Sequence, residues 1–162
     1  MLCPVPAMKA LAVLLICSIT ACTSKRPVES SHEIAGSQAE RIAAVSKLIT
    51  KHSPLPSPLL DANFIDEQTG DGRLGPSDFT SFCAVSVAAA DALAWRAALA
   101  PLEEQNTPPK YAAPKDPVPW WLPSAEFLHL EFHSPNSLTG RDNGWVGIDL
   151  QHERIYIYSF TM

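Results

Sequence analysis

Hydrophobic positions along this chain follow two periods. Ile42, Val45, Leu48 and Ile49 recur at three- and four-residue steps, the spacing of one helical face. Ser37 precedes them and Glu40 follows it by three, the pattern of a capping box, so a helix is expected over 38–51. Pro54, Pro56 and Pro58 end it. From 59 to 68 the period changes to two: Leu60, Ala62, Phe64 and Asp66 alternate with their neighbours. Phe79, Ser81, Cys83, Val85 and Val87 share one face of a second strand in the same way. The stretch between them, 69–77, is dense in glycine, proline and serine, so the two strands are expected to pair as a hairpin with a wide loop. Residues 88–100 are rich in alanine and place Trp95 and Leu99 one turn apart, which predicts a second helix.

Seven prolines then fall between 101 and 123. Such a segment is neither regular helix nor central strand. Its end, Pro117-Val-Pro-Trp-Trp-Leu-Pro123, reads as an extended strap laid across the domain. A short helical turn is expected at 124–127 and a strand over 128–133. Two further strands, 145–150 and 155–160, are joined by the turn Gln151-His-Glu-Arg154. The order α-β-β-α-β-β-β predicts a single small α+β domain over 37–162, with a mostly antiparallel sheet, two main helices and a C-terminal hairpin.

The N-terminus differs from this body. Lys9 precedes an uncharged apolar run, 11–18, too short to span a bilayer, which needs about 20 apolar residues. Small residues and a cysteine follow, as Ile19-Thr20-Ala21-Cys22. This combination resembles the signal peptide of bacterial lipoproteins. The resemblance covers the first 22 residues and implies cleavage before Cys22, lipid on Cys22, and attachment to the membrane by its acyl chains. Two or more such chains hold firmly, each buried methylene contributing about 0.8 kcal/mol. Thr23 stands where lipoproteins retained in the inner membrane of enteric bacteria carry Asp, which implies the periplasmic side of the outer membrane in a Gram-negative source. Met8-Lys9-Ala10 is a more ordinary start for such a signal than Met1. Residues 22–36 are polar and unpatterned and read as a flexible tether.

Cleavage would remove Lys9 and no acid. The chain's 12 basic residues would fall to 11 against 17 acidic ones, moving the formal charge from −5 to −6. No basic cluster survives beyond Lys25-Arg26, so nucleic acid is not expected as a partner. Of four cysteines, two leave with the signal and Cys22 carries lipid. Cys83 is then a lone thiol in an apolar strand, expected to be buried and inert.

Candidate chemistry is sparse. His129, Glu131 and His133 alternate, so on a strand they would share a face and could hold zinc, with His152 or Asp149 supplying a further ligand. The loop after Glu67 partly resembles a calcium-binding EF-hand: Glu67, Thr69, Asp71, Gly72 and Asp78 fall near the ligand positions. The strand-like flanks and the short Asp78 depart from it. Gly70, Gly72 and Gly75 match the spacing of a dinucleotide-binding loop, but Pro76 and a strand follow where a helix is required. No Gly-x-Ser-x-Gly elbow marks a serine hydrolase.

Adjacent Trp120 and Trp121 in an extended segment point to different sides, so one ring is expected in the core and the other at the surface as a recognition anchor. Arg141 and Asp142, in the polar loop 134–144, are candidate binding residues beside it. The reading is a non-enzymatic envelope lipoprotein that binds a protein or cell-wall partner. The alternatives are an envelope inhibitor or immunity protein, and a zinc-dependent hydrolase.

Overall fold

The computed structural model describes residues 29–70, 76–102 and 109–162. The expected signal, Cys22, the first part of the expected tether, and Asp71, Gly72 and Gly75 of the glycine loop lie outside the described residues. The described chain forms one α+β domain around a six-stranded antiparallel sheet. In chain order the elements are β1 (Glu29–Glu33), α1 (Gln38–Ile49), β2 (Asp61–Thr69), β3 (Asp78–Ser86), α2 (Ala89–Ala98), β4 (Glu131–His133), the single turn α3 (Asn136–Thr139), β5 (Gly144–Asp149) and β6 (Arg154–Phe160). Across the sheet the strands run β1-β2-β3-β6-β5-β4. No helix among the described residues is long and apolar enough to cross a membrane.

Both expected hairpins form. β2 pairs with β3 in full register, from Asp61 opposite Ser86 to Thr69 opposite Asp78. β5 and β6 pair through the turn that contains His152. The capping box also forms: the Ser37 hydroxyl accepts from the Glu40 amide, and the Glu40 carboxylate accepts from the Ser37 amide at 2.8 Å. The bond from the Ser37 amide and a second one, from the Ser37 hydroxyl to the same carboxylate oxygen at 2.8 Å, hold the Glu40 carboxyl below the usual carboxylate range. Arg41 fastens α1 to β2, donating to the Ala62 carbonyl at 2.9 Å and pairing with Asp61 at 2.6 Å.

The tether does not extend to Gly36. Residues 29–33 pair with β2 as an edge strand, Glu29 opposite Thr69 and Glu33 opposite Ile65. A polar edge strand has little apolar alternation to reveal it, because its main contribution is a row of backbone hydrogen bonds.

The sheet is covered on both faces, which makes three layers. One face carries Ala62, Cys83, Val85, Val146, Ile148, Ile155 and Ile157 against Val45 and Ile49 of α1 and Ala92 and Trp95 of α2. The other face carries Ile65, Phe82, Ala84, Trp145 and Tyr156 under the proline-rich strap. Central strands buried on both sides read as continuous apolar runs, as Trp-Val-Gly-Ile does in β5.

The strap's prolines lack N–H groups, so it cannot join the ladder. Indole and phenol groups bind carbonyls of the strap and of the segment before it instead. Trp121 Nε1 donates to Ala112 at 2.9 Å, Trp145 Nε1 to Lys110 at 3.1 Å, and Tyr111 Oη to Leu122 at 2.8 Å. Trp121 meets Phe82 edge-on with ring centroids 5.2 Å apart.

Candidate functional site

Register places a polar row beside an apolar one on the helical face of the sheet. Asp66 lies opposite Ser81, and Ser81 opposite Ser159. Two residues along, Phe64 lies opposite Cys83, and Cys83 opposite Ile157. Because side chains alternate, both rows face α1. The end of α1 and the turn α3 stand over them but do not close. A solvent-open cleft of about 170 Å³ remains between the sheet, Val45, Leu48 and Ile49 of α1, and Leu138 of α3.

Arg141 reaches this cleft because of how α3 ends. Gly140 adopts a left-handed φ of 67°, and its N–H closes on the Asn136 carbonyl at 2.7 Å. The Thr139 hydroxyl donates to the Pro135 carbonyl at 2.9 Å and accepts from the Arg141 amide at 3.1 Å. His52 from the loop after α1 packs on Gly140 so closely that a Cβ there would lie 2.7 Å from its ring. The chain therefore turns back over the sheet at Arg141.

Arg141 Nη1 donates to Ser81 Oγ at 2.9 Å and to Ser159 Oγ at 3.4 Å. The Ser81 hydroxyl in turn donates to the Asp66 carboxylate at 2.6 Å. Arg141 forms no ion pair with any described residue. A half-buried guanidinium thus sits at one end of an apolar cleft, with Lys51 and His52 on the rim.

The other expected binding residues lie elsewhere. Asp142 is exposed and accepts from the Asn136 side chain at 2.6 Å. Trp121 is buried on the opposite face of the sheet. Trp120 beside it is half-buried and donates to Glu33 of β1 at 3.2 Å. The expected division between the two rings is present in part: one is core, and the other is partly covered rather than free. Arg141 and the tryptophans do not form one surface.

The expected zinc triad does not assemble as a strand face. His129 belongs to a 3₁₀ turn, Phe127–His129, and only Glu131 and His133 lie on β4. The alternation that would have aligned all three starts too late in the chain. Glu131 pairs with Arg96 of α2 at 2.7 Å. His133 is buried with Nε2 3.3 Å from Glu131, too poorly aligned for a hydrogen bond.

A different group does converge. Ligand atoms of Glu126, Asp149 and His152 lie within 4.8 Å of one another at the β5–β6 turn, and His129 and Glu131 line the same depression. This is a small acidic and histidine cluster. Within it, Asp149 Oδ2 and His152 Nδ1 are 2.7 Å apart.

Cys83 forms part of the cleft floor and is buried, and burial pushes its thiol up to about 12. His52 makes no hydrogen bond to Ser81 or Ser159, so no serine–histidine pair is assembled there. Sequence reading missed Ser81, Ser159, Lys51 and His52 as cleft residues. The available signal was a hydroxyl recurring on otherwise apolar strand faces, Ser81 before Cys83 and Ser159 after Ile157.

No family model matches the chain, and no curated protein or solved structure matches it.

Proposed function

We propose that this chain is an envelope lipoprotein anchored through lipid on Cys22, on the periplasmic side of the outer membrane. Its domain binds a ligand rather than catalysing a reaction, and the cleft under Arg141 is the binding site. One observation carries the binding reading: a half-buried guanidinium with no direct carboxylate partner, linked to Asp66 only through the Ser81 hydroxyl, is held over an open apolar cleft. A half-buried cation whose counter-charge is not in direct contact is left incompletely compensated. A ligand that supplies the charge completes the compensation.

The thiol at the cleft floor is a poor nucleophile at neutral pH, because the thiolate is the reactive form. Of the cleft serines, Ser159 has no adjacent base and Ser81 has only the Asp66 carboxylate among the described residues, with no histidine bonded to either. Both facts favour binding over covalent chemistry.

The anchor is tested by intact-mass analysis of the membrane-extracted chain and a Cys22→Ser variant. A chain starting at Cys22 with added acyl mass, lost in the variant, is the expected result. The cleft is tested by a melting screen over small anions. A ligand at about 100 times its Kd adds roughly 2.7 kcal/mol to stability. At least one anion should stabilise the wild type and not Leu48→Trp, which fills the cleft mouth. A screen without such an anion counts against the cleft.

A second reading concerns Glu126, Asp149 and His152, whose donor set suits zinc with an open position for hydrolytic chemistry. Metal analysis of protein purified without a His tag tests it. Less than stoichiometric zinc, with stability unchanged on chelation, removes it.

A further inference from the structure

The cleft's two ends ask for different chemistry. At the apolar end, Phe64, Cys83 and Ile157 form the floor and Val45, Ile49 and Leu138 the walls. The whole cleft, polar end included, measures about 170 Å³. A cavity of about 150 Å³ lined by aliphatic and aromatic side chains takes up benzene. A phenyl or branched alkyl group therefore fits, and a long acyl chain does not.

At the polar end, donors outnumber acceptors. Nη1 of Arg141 is engaged by the two serines, but no described residue accepts from Nε or Nη2. Ser159 is 2% exposed and accepts from Arg141, and no described group accepts its proton. The Ser81 hydroxyl already donates to Asp66. A planar guanidinium edge with a hydroxyl donor nearby is the set that a carboxylate accepts well. Lys51 on the rim adds positive charge to a chain whose formal charge is −5, and the His52 ring lies beside it.

We infer that the cleft recognises a small carboxylate carried on a benzene-sized apolar group, as a free acid or as the C-terminal residue of a peptide. Arg141 and Ser159 take the carboxylate, and the apolar group lies against Cys83 and Ile157. This rests on the binding reading above and names the ligand class for the same site.

The test is an amide-shift titration of the ¹⁵N-labelled full chain with three probes: 3-phenylpropionate, its neutral amide, and the peptide Gly-Gly-Phe with a blocked N-terminus and free C-terminus. At least one of the two acids should shift Thr139, Arg141 and Ser159 saturably, with a Kd on the order of 1 mM for so small a ligand. The neutral amide should bind at least about tenfold more weakly, the scale of a lost charge-assisted hydrogen bond. Response to the free acid but not the peptide marks a small-molecule ligand. The reverse marks a peptide terminus.

Arg141→Gln should erase the preference for acid over amide. It also removes two hydrogen bonds within the fold, so Leu48→Trp is the second variant. It leaves Arg141 in place and should block both acids. Equal binding of acid and amide, both blocked by Leu48→Trp, would overturn the carboxylate assignment while leaving the cleft a binding site. Cleft amides unmoved by any of the three probes would overturn the assignment too. The binding reading falls with it only if the anion screen also finds nothing.

Discussion

Trp95 of α2 and Ser57 of the loop between α1 and β2 are joined by a buried hydrogen bond, with the indole Nε1 donating to Ser57 Oγ at 3.0 Å. Trp95 is fully buried, so this is the point at which the loop is pinned to the helical layer. Ser57→Ala leaves the indole N–H without a partner where water cannot replace it. The expected cost is about 1–3 kcal/mol. Denaturant unfolding should show a lower midpoint with the slope unchanged. An unchanged midpoint would mean that the loop is held by packing alone.

The adjacent tryptophans separate on stability. Trp121 packs edge-on against Phe82 and Tyr156 and binds the Ala112 carbonyl, so Trp121→Ala opens a cavity between strap and sheet. A cost of about 3–5 kcal/mol is expected. Trp120 is half-buried and its indole meets Glu33 near solvent, so Trp120→Ala should cost about 1 kcal/mol or less. Equal losses in the two variants would contradict this layering.

That contrast shows what the sequence made legible. Period and capping located both main helices and five of the strands, because each buries an apolar face whose spacing is fixed by backbone geometry. Edge strand β1 and turn α3 escaped, since neither shows an apolar period: Glu29–Glu33 is polar throughout and Asn136–Thr139 is one turn. His129 was misplaced for a related reason. A 3₁₀ turn ending one residue before β4 continues the same His-x-Glu-x-His spacing without sharing its face. The cleft was legible only in Arg141. Its other polar parts come from β3, β6 and the loop after α1, which are distant in sequence and meet only through sheet register.

The β5–β6 turn should carry a measurable pH dependence. The hydrogen bond to Asp149 and its charge raise the pKa of His152 above its ordinary value near 6.5. That contribution is complete below pH 6.5 and fades as pH rises through the folded value. For Asp149, burial pushes the pKa up. The hydrogen bonds from the His152 ring and from the amides of His152 and Gln151 outweigh it, and the folded pKa falls below 3.8. Its contribution is present above pH 3.8 and lost as pH falls through the folded value. The pair therefore stabilises most between about pH 4 and 6.5. Asp149→Asn keeps an oxygen for the backbone amides and removes the charge. Its melting temperature should fall further below wild type at pH 5.5 than at pH 9, and the His152 ring should titrate at lower pH by NMR. A difference between variant and wild type that does not vary with pH would refute the pairing.

Cys83 gives the sharpest separation between a binding cleft and a thiol-based catalytic one. Its Sγ lies on the cleft floor, in a strand with Val85 and opposite Ile157, and its pKa is pushed up to about 12 by burial alone. At pH 8 the thiolate fraction is then roughly one part in ten thousand, and the thiolate is the species that attacks a disulfide reagent. The folded chain, with Cys22 replaced by Ser, should react only slowly with an aromatic disulfide, because so little of the cleft-floor thiol is thiolate. Reaction should become fast only in denaturant. Raising pH from 7 to 9 should accelerate that slow reaction without a plateau, as a thiol with a pKa of about 12 requires, and Trp121→Ala should add a faster route through a larger opened fraction. Rapid, pH-dependent labelling of the native chain with a midpoint near 7 would instead mark Cys83 as an accessible, activated nucleophile, and the cleft would have to be read as a catalytic site.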